Sequence, residues 1–115
     1  MKYEDLVKVR IGINGDIEND ITTDEDFFKE VKRTLNITWD DDDTNASIAD
    51  YIKNGVALLQ NDVQAYINFK TDILARKLLK TYCRYERNNS EEYFIENNLQ
   101  DILKMEVRYG KAEVQ

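Results

Sequence analysis

The sequence predicts an all-α domain, a compact bundle of about four helices with an N-terminal strand-like arm, and three observations carry that prediction. From residue 24 onward apolar residues recur at steps of three and four between charged ones, the period of helices with one apolar face. Proline is absent from all 115 residues, so the commonest interrupter of helices is missing. The periodic stretches are separated by Thr, Ser, Asn and Asp, which start and stop helices by offering side-chain partners to unpaired backbone groups. The expected division is an arm and acidic loop over 1–23 and a helical domain over 24–115.

Within the arm, Val7, Val9, Ile11 and Ile13 alternate with Lys8, Arg10 and Gly12, which favours a strand, while Leu6, Val7 and Ile11 also fit one face of a helix. An isolated strand needs an edge to pair with, in another copy or another protein. Asn14-Gly15 is a turn signal, and Asp16 to Asp26 carries six acids and no base, the composition of a solvated loop. The first helix is expected near 24–36, capped by Thr23 and burying Phe27 or Phe28 with Val31 and Leu35. The second is expected near 45–67, capped by Thr44, with Ile48, Tyr51, Ile52, Gly55, Val56, Leu59, Val63, Tyr66 and Ile67 on its apolar stripe. Gly55 on that stripe predicts close packing against a neighbouring helix, because it costs about 1 kcal/mol in helix propensity.

The third helix, near 72–88 with Thr71 as cap, is the centre of the bundle. Ile73, Leu74, Leu78, Leu79, Tyr82, Cys83 and Tyr85 form its apolar stripe, and Arg76, Lys77, Lys80, Arg84 and Arg87 make one face basic. Asn88-Asn89 stops it and Ser90 caps a last helix near 91–109, on which Tyr93, Phe94, Ile95, Leu99, Ile102, Leu103 and Val107 give an apolar side. Asn97-Asn98 predicts a bend and Gly110 a C-terminal stop. Leu59, Leu78, Leu79, Tyr82 and Phe94 are the expected core.

Charge is divided unevenly. The net value is -7, but residues 1–50 hold 14 acids and 6 bases, and residues 51–115 hold 9 and 10. One reading is solubility alone. The other is a head-to-tail contact in which acids of one copy meet the basic helix of the next, the kind of heterologous contact that closes into a ring. Trp39, Asp40, Asp41, Asp42 and Asp43 on one side, and Arg76, Lys80, Arg84 and Arg87 on the other, are the candidate interface residues.

No catalytic, cofactor or metal site is expected. Histidine is absent and the single cysteine, Cys83, lies on an apolar stripe, so the usual general base and nucleophile are missing. A calcium loop beginning at Asn14 would place oxygen-bearing residues at Asn14, Asp16, Glu18, Asp20, Thr22 and Glu25, but Asn19 stands where the sharp turn needs glycine. A basic helix could also serve a small nucleic-acid-binding regulator. The alternative function is therefore a calcium-binding or nucleic-acid-binding regulatory helical module. No run of about 18 apolar residues and no basic-then-apolar amino terminus occurs, so the expectation is a soluble cytosolic chain with no membrane partner.

Two stretches carry a resemblance: Ile37, Thr38, Trp39, Asp41, Asp43 and Thr44 of LNITWDDDDT, and Leu78, Leu79, Tyr82, Arg84, Tyr85, Asn88 and Phe94 of the following hairpin. From about Phe28 to Tyr109 the chain resembles the head-tail connector (head-completion adaptor) proteins of tailed bacteriophages and prophages, which read as a short helix, an I-T-W-x-D-x-D-T turn, a long helix, and a Leu- and Tyr-rich helix ending in R-Y-x-x-N before a last helix. The first 24 or so residues have no counterpart there. The resemblance implies a non-enzymatic structural subunit of the virion head-tail interface, made in the bacterial host cytoplasm. It also implies a homo-oligomeric ring, commonly a dodecamer, between the portal protein and a tail-completion or stopper protein, without cofactor or sequence-specific nucleic-acid binding.

Overall fold

The computed structural model describes residues 20–110, and within them the fold is all-α. A 3-10 turn, Ile21–Thr23, leads into α1 (Glu25–Thr34), α2 (Asp42–Val63) and α3 (Ile73–Arg87). A second 3-10 turn, Glu91–Tyr93, precedes α4 (Phe94–Asn97) and α5 (Leu99–Arg108). The expected strand over residues 1–13 and most of the calcium-like loop lie outside the described residues.

Each of the first three helices starts one to three residues away from the expected cap, and always on an aspartate. Asp24 accepts from the Phe27 amide, Asp41 from the Thr44 amide and Asp72 from the Ala75 amide. A carboxylate accepts a charge-assisted bond and meets the positive end of the helix dipole, so it outcompetes the threonine beside it. The helix ends divide differently. Asn36 and Asn89 turn left-handed after α1 and α3, and the amides of Ile37 and Ser90 close onto the Lys32 and Tyr85 carbonyls, at 2.9 Å in both cases. Gly110 ends α5 the same way, at φ +86°. The second helix stops at Val63 rather than near 67, because Gln64 turns left-handed and the buried Gln60 side chain accepts from the Ile67 amide at 3.0 Å.

The core is where the periodicity places it, with Leu59, Leu78, Leu79, Tyr82 and Phe94 all buried. Phe27, Val31 and Leu35 bury the inner face of α1, and Ile21, from the stretch assigned to the acidic loop, joins the same cluster. The helices α2 and α3 run antiparallel, with Gly55 against Leu79 and Tyr82 and the Asn54 amide on the Glu86 carboxylate. A Cβ on residue 55 would stand 2.5 Å from Leu79 Cδ1 and 2.8 Å from Tyr82 Cδ2, so the close packing expected of Gly55 is present, and against the basic helix. Phe94 closes that end of the core edge-on to Tyr82 and Tyr85, at 5.2 and 5.6 Å between ring centres.

Two expectations need correction. The last helix is two helices, since Asn98 leaves helical geometry between α4 and α5 and its side-chain amide donates to the Phe94 carbonyl at 2.9 Å. An asparagine that bonds locally competes with the helical ladder, so the expected bend is a break. The expected apolar stripes are also wider than the buried ones: Ile73 is 84% exposed, and Tyr93, Leu99, Leu103 and Val107 are exposed as well. On α5 the buried residues are Ile102, which was expected on the apolar side, and Met105, which was not. A helix with two apolar rows buries the one its neighbours reach, and periodicity does not say which.

Candidate functional site: the acidic turn and the basic helix

The nine residues singled out from the sequence fall into two groups, and internal pairing decides which remain available. Arg76 and Lys80 are engaged within the subunit. Both bond Glu30 of α1, Lys80 at 3.4 Å and Arg76 through both its Nε and its Nη2, while the Arg76 guanidinium also stacks 5.2 Å above the Phe27 ring. The Arg76 guanidinium holds the Glu30 carboxyl below its ordinary range; partial burial opposes this and Lys80 assists it. Lys77, from the same helix, reaches Asp101 of α5 at 3.7 Å. Three of the five cations on the basic helix are thus spent holding α1 and α5 in place.

Arg84 and Arg87 differ. Among the described residues neither has an ion pair, and both lie in the last turn of α3, where a cation also complements the helix dipole.

On the acidic side the turn 37–44 is a built structure. Ile37 is buried and anchors it, and the Trp39 indole, 48% exposed, donates to the Thr44 hydroxyl at 3.1 Å. That hydroxyl donates in turn to Asp41 at 2.8 Å, and with the Thr44 amide it holds the Asp41 carboxyl below its ordinary range. Asp40 lies 3.8 Å from Lys32 and accepts from the Asn45 side chain at 2.7 Å. Asp42 and Asp43, in the first turn of α2, are exposed and have no ion pair among the described residues. Asn54 meets Glu86, so the last turn of α3 lies beside the middle of α2, and Asp42 and Asp43 stand about 18 Å further along the helix axis. The structure therefore does not bring the acidic turn and the arginines of α3 together within one subunit, and neither group has an ion pair with the other.

Two groups the sequence reading missed hold α3 in the scaffold. Glu30 is the hub for Arg76 and Lys80, and its place between Phe27 and Val31 on the edge of the buried stripe was the available signal. Asp72 caps α3 and also accepts from Arg108 at 2.6 Å and the Tyr109 hydroxyl at 2.7 Å, tying the end of α5 to the start of α3. Burial alone would raise the Asp72 carboxyl, but those three donors outweigh it and hold it below its ordinary value. Nothing marked that pairing in the sequence, since Asp72 and Tyr109 are far apart along the chain.

The remaining groups with chemical potential are occupied by packing. Burial pushes the Cys83 thiol up to about 12, so it stays protonated at neutral pH and is a poor nucleophile. Burial and then the nearby Glu86 carboxylate raise the Tyr82 phenol. Of the calcium-like loop, Asp20 caps the first 3-10 turn by accepting from the Thr22 amide and hydroxyl. Among the described residues no group of His, Cys, Asp and Glu could hold a metal ion, and no helix is long and apolar enough to cross a membrane.

Comparison of the chain with protein-family models, with curated proteins and with solved structures gives no match in any of the three.

Proposed function

We propose that the chain is a structural, non-enzymatic subunit of a phage or prophage head-tail connector, forming a ring between a portal protein and a tail-completion protein by a head-to-tail contact between copies. The observation that carries the assembly part is two separate charged groups of opposite sign, neither with an ion pair among the described residues: exposed Asp42 and Asp43 beside a capped Trp39 turn, and Arg84 and Arg87 in the last turn of α3. The phage assignment rests on the resemblance of that turn and of the α3 hairpin. In the same reading Arg76 and Lys80, fixed on Glu30, position the helix and leave Arg84 and Arg87 to meet the neighbour's acids.

Exposed ion pairs contribute only about 0–1 kcal/mol each. The ring is therefore weak in isolation and firm when a portal template aligns the subunits. Sedimentation of the protein over a range of concentrations tests this. Wild-type protein should self-associate weakly, Arg84→Glu with Arg87→Glu should reduce association, and adding Asp42→Lys with Asp43→Lys should restore part of it. A strict monomer at millimolar concentration, or association unchanged by the arginine replacements, would remove these charges from the assembly. A neighbouring reading frame for a portal protein, and pull-down of its product by this chain, would separate the phage reading from self-association alone.

A further inference from the structure

The last helix, α5, is joined to the bundle differently from the main helices before it. At its start Asn98 leaves helical geometry, at φ -120° and ψ 24°, and no side chain caps the first amides, whereas α1, α2 and α3 each start on an aspartate that does. The Asn98 amide bonds back to the Phe94 and Ile95 carbonyls, and the Asn98 carbonyl accepts from the Ile102 amide ahead. The backbone ladders of α4 and α5 thus both end on Asn98, and among the described residues no backbone hydrogen bond joins the amides of Leu99, Gln100 or Asp101 to α4. A helix pair bends most readily where both ladders end, because no rung has to break.

The two sides of that point are anchored unequally. On the near side Phe94 is fully buried and edge-on to Tyr82 and Tyr85, and the Asn97 side chain donates to the Tyr85 hydroxyl at 3.3 Å. On the far side Ile102 and Met105 are the buried residues of α5, against seven on α2 and five on α3. Local opening is favoured where few apolar side chains must be uncovered. The far end of α5 is held instead by polar groups, with Arg108 and the Tyr109 hydroxyl both donating to Asp72. Water can replace those donors when the helix leaves, and the bond from the Ala75 amide keeps Asp72 on α3 as its cap.

We propose that α5 is a strap, hinged at Asn98 and latched on Asp72, that opens as a unit and uncovers Ile102 and Met105 while α1 to α4 stay folded. The strap is independent of the charged contact between copies, since Asp42, Asp43, Arg84 and Arg87 lie on helices that do not move with it.

Native-state hydrogen exchange of the full chain, followed amide by amide by NMR at a series of low urea concentrations, tests this. The amides of Leu103 to Arg108 should share one urea dependence, and it should be weaker than that of Val56, Leu59 and Leu79, because opening the strap exposes less surface than unfolding the core. They should also be at least about tenfold less protected than those three. Two variants separate the strap from opening of the whole molecule. Arg108→Gln with Tyr109→Phe removes the latch, leaves the cap of α3 in place, and should speed exchange in α5 by about tenfold. Ile48→Ala removes a fully buried side chain from the part of α2 that extends past the end of α3, whereas α5 ends beside the start of α3. It destabilises the closed and the open strap alike, so it should speed exchange at Val56, Leu59 and Leu79 by about tenfold or more and change α5 by less than about twofold. Exchange in α5 that Ile48→Ala accelerates as much as that of the core, or that the latch variant leaves unchanged, would overturn the proposal. So would a urea dependence in wild-type α5 that is absent or equal to that of the core, a result that decides the matter even where a variant does not fold.

Discussion

At the scale of single residues, Leu79 and Asp72 do most to hold the subunit in one conformation. Leu79 is fully buried and reaches toward Gly55 across the α2–α3 contact. Leu79→Ala should cost roughly 2–5 kcal/mol, measured by urea unfolding, since the rigid helices on either side cannot collapse into the space. Asp72 is a polar counterpart, with a side chain 8% exposed and three donors on one carboxylate. Asp72→Asn should cost roughly 1–3 kcal/mol at neutral pH, because a partly buried tyrosine hydroxyl and an arginine lose their charged acceptor. The sign with pH follows from the lowered carboxyl: its stabilising effect is complete above the ordinary value of 3.8 and is lost as pH falls through the still lower value in the folded protein. Thermal unfolding midpoints of wild type and Asp72→Asn should therefore converge as pH drops below about 4 and stand furthest apart near neutrality.

At the scale of elements, the antiparallel α2–α3 contact sets the height at which every other element sits. Gly55→Ala gains up to about 1 kcal/mol of helix propensity. Against that, the new methyl would meet the Tyr82 ring, which is itself fixed edge-on to Phe94 and cannot withdraw. The expected net result is destabilisation of roughly 1–3 kcal/mol, read from thermal unfolding, the reverse of what an exposed helical glycine would give. A stabilised Gly55→Ala variant would mean that α2 and α3 are further apart than described. The starts of these helices show how competition between adjacent caps resolves: at 23–24 and 71–72 Asp wins over the preceding Thr, and at 41 and 44 the Thr becomes a donor to the Asp.

At the scale of the whole molecule, the distribution of charge matters more than the net -7. Internal ion pairs consume the middle of the basic helix and leave Arg84 and Arg87 at its end without one among the described residues. Association through them should weaken steeply between low and physiological salt, a dependence sedimentation at two ionic strengths will read. Association that strengthens with salt would point to the apolar row of the last helix instead.

The sequence by itself determined the helical class, the core at Leu59, Leu78, Leu79, Tyr82 and Phe94, and the approximate span of each main helix, because apolar period and cap residues are local properties of the chain. It also marked Asn88-Asn89 and Gly110 as stops, and Asn89 and Gly110 take up left-handed backbone. The stop at Gln64 was not legible, because a buried hydrogen bond from Ile67 to Gln60 sets it and no residue type announces that. Of the candidate site, the Trp39 turn and the cations of α3 were legible as charged and aromatic positions. Only the tertiary structure decided that Glu30 takes Arg76 and Lys80, that Asp72 takes Arg108 and Tyr109, and that Leu99, Leu103 and Val107 face outward. Those outcomes depend on which surfaces of distant helices meet, and a side chain's partner across the fold is fixed by packing geometry rather than by its neighbours in the chain.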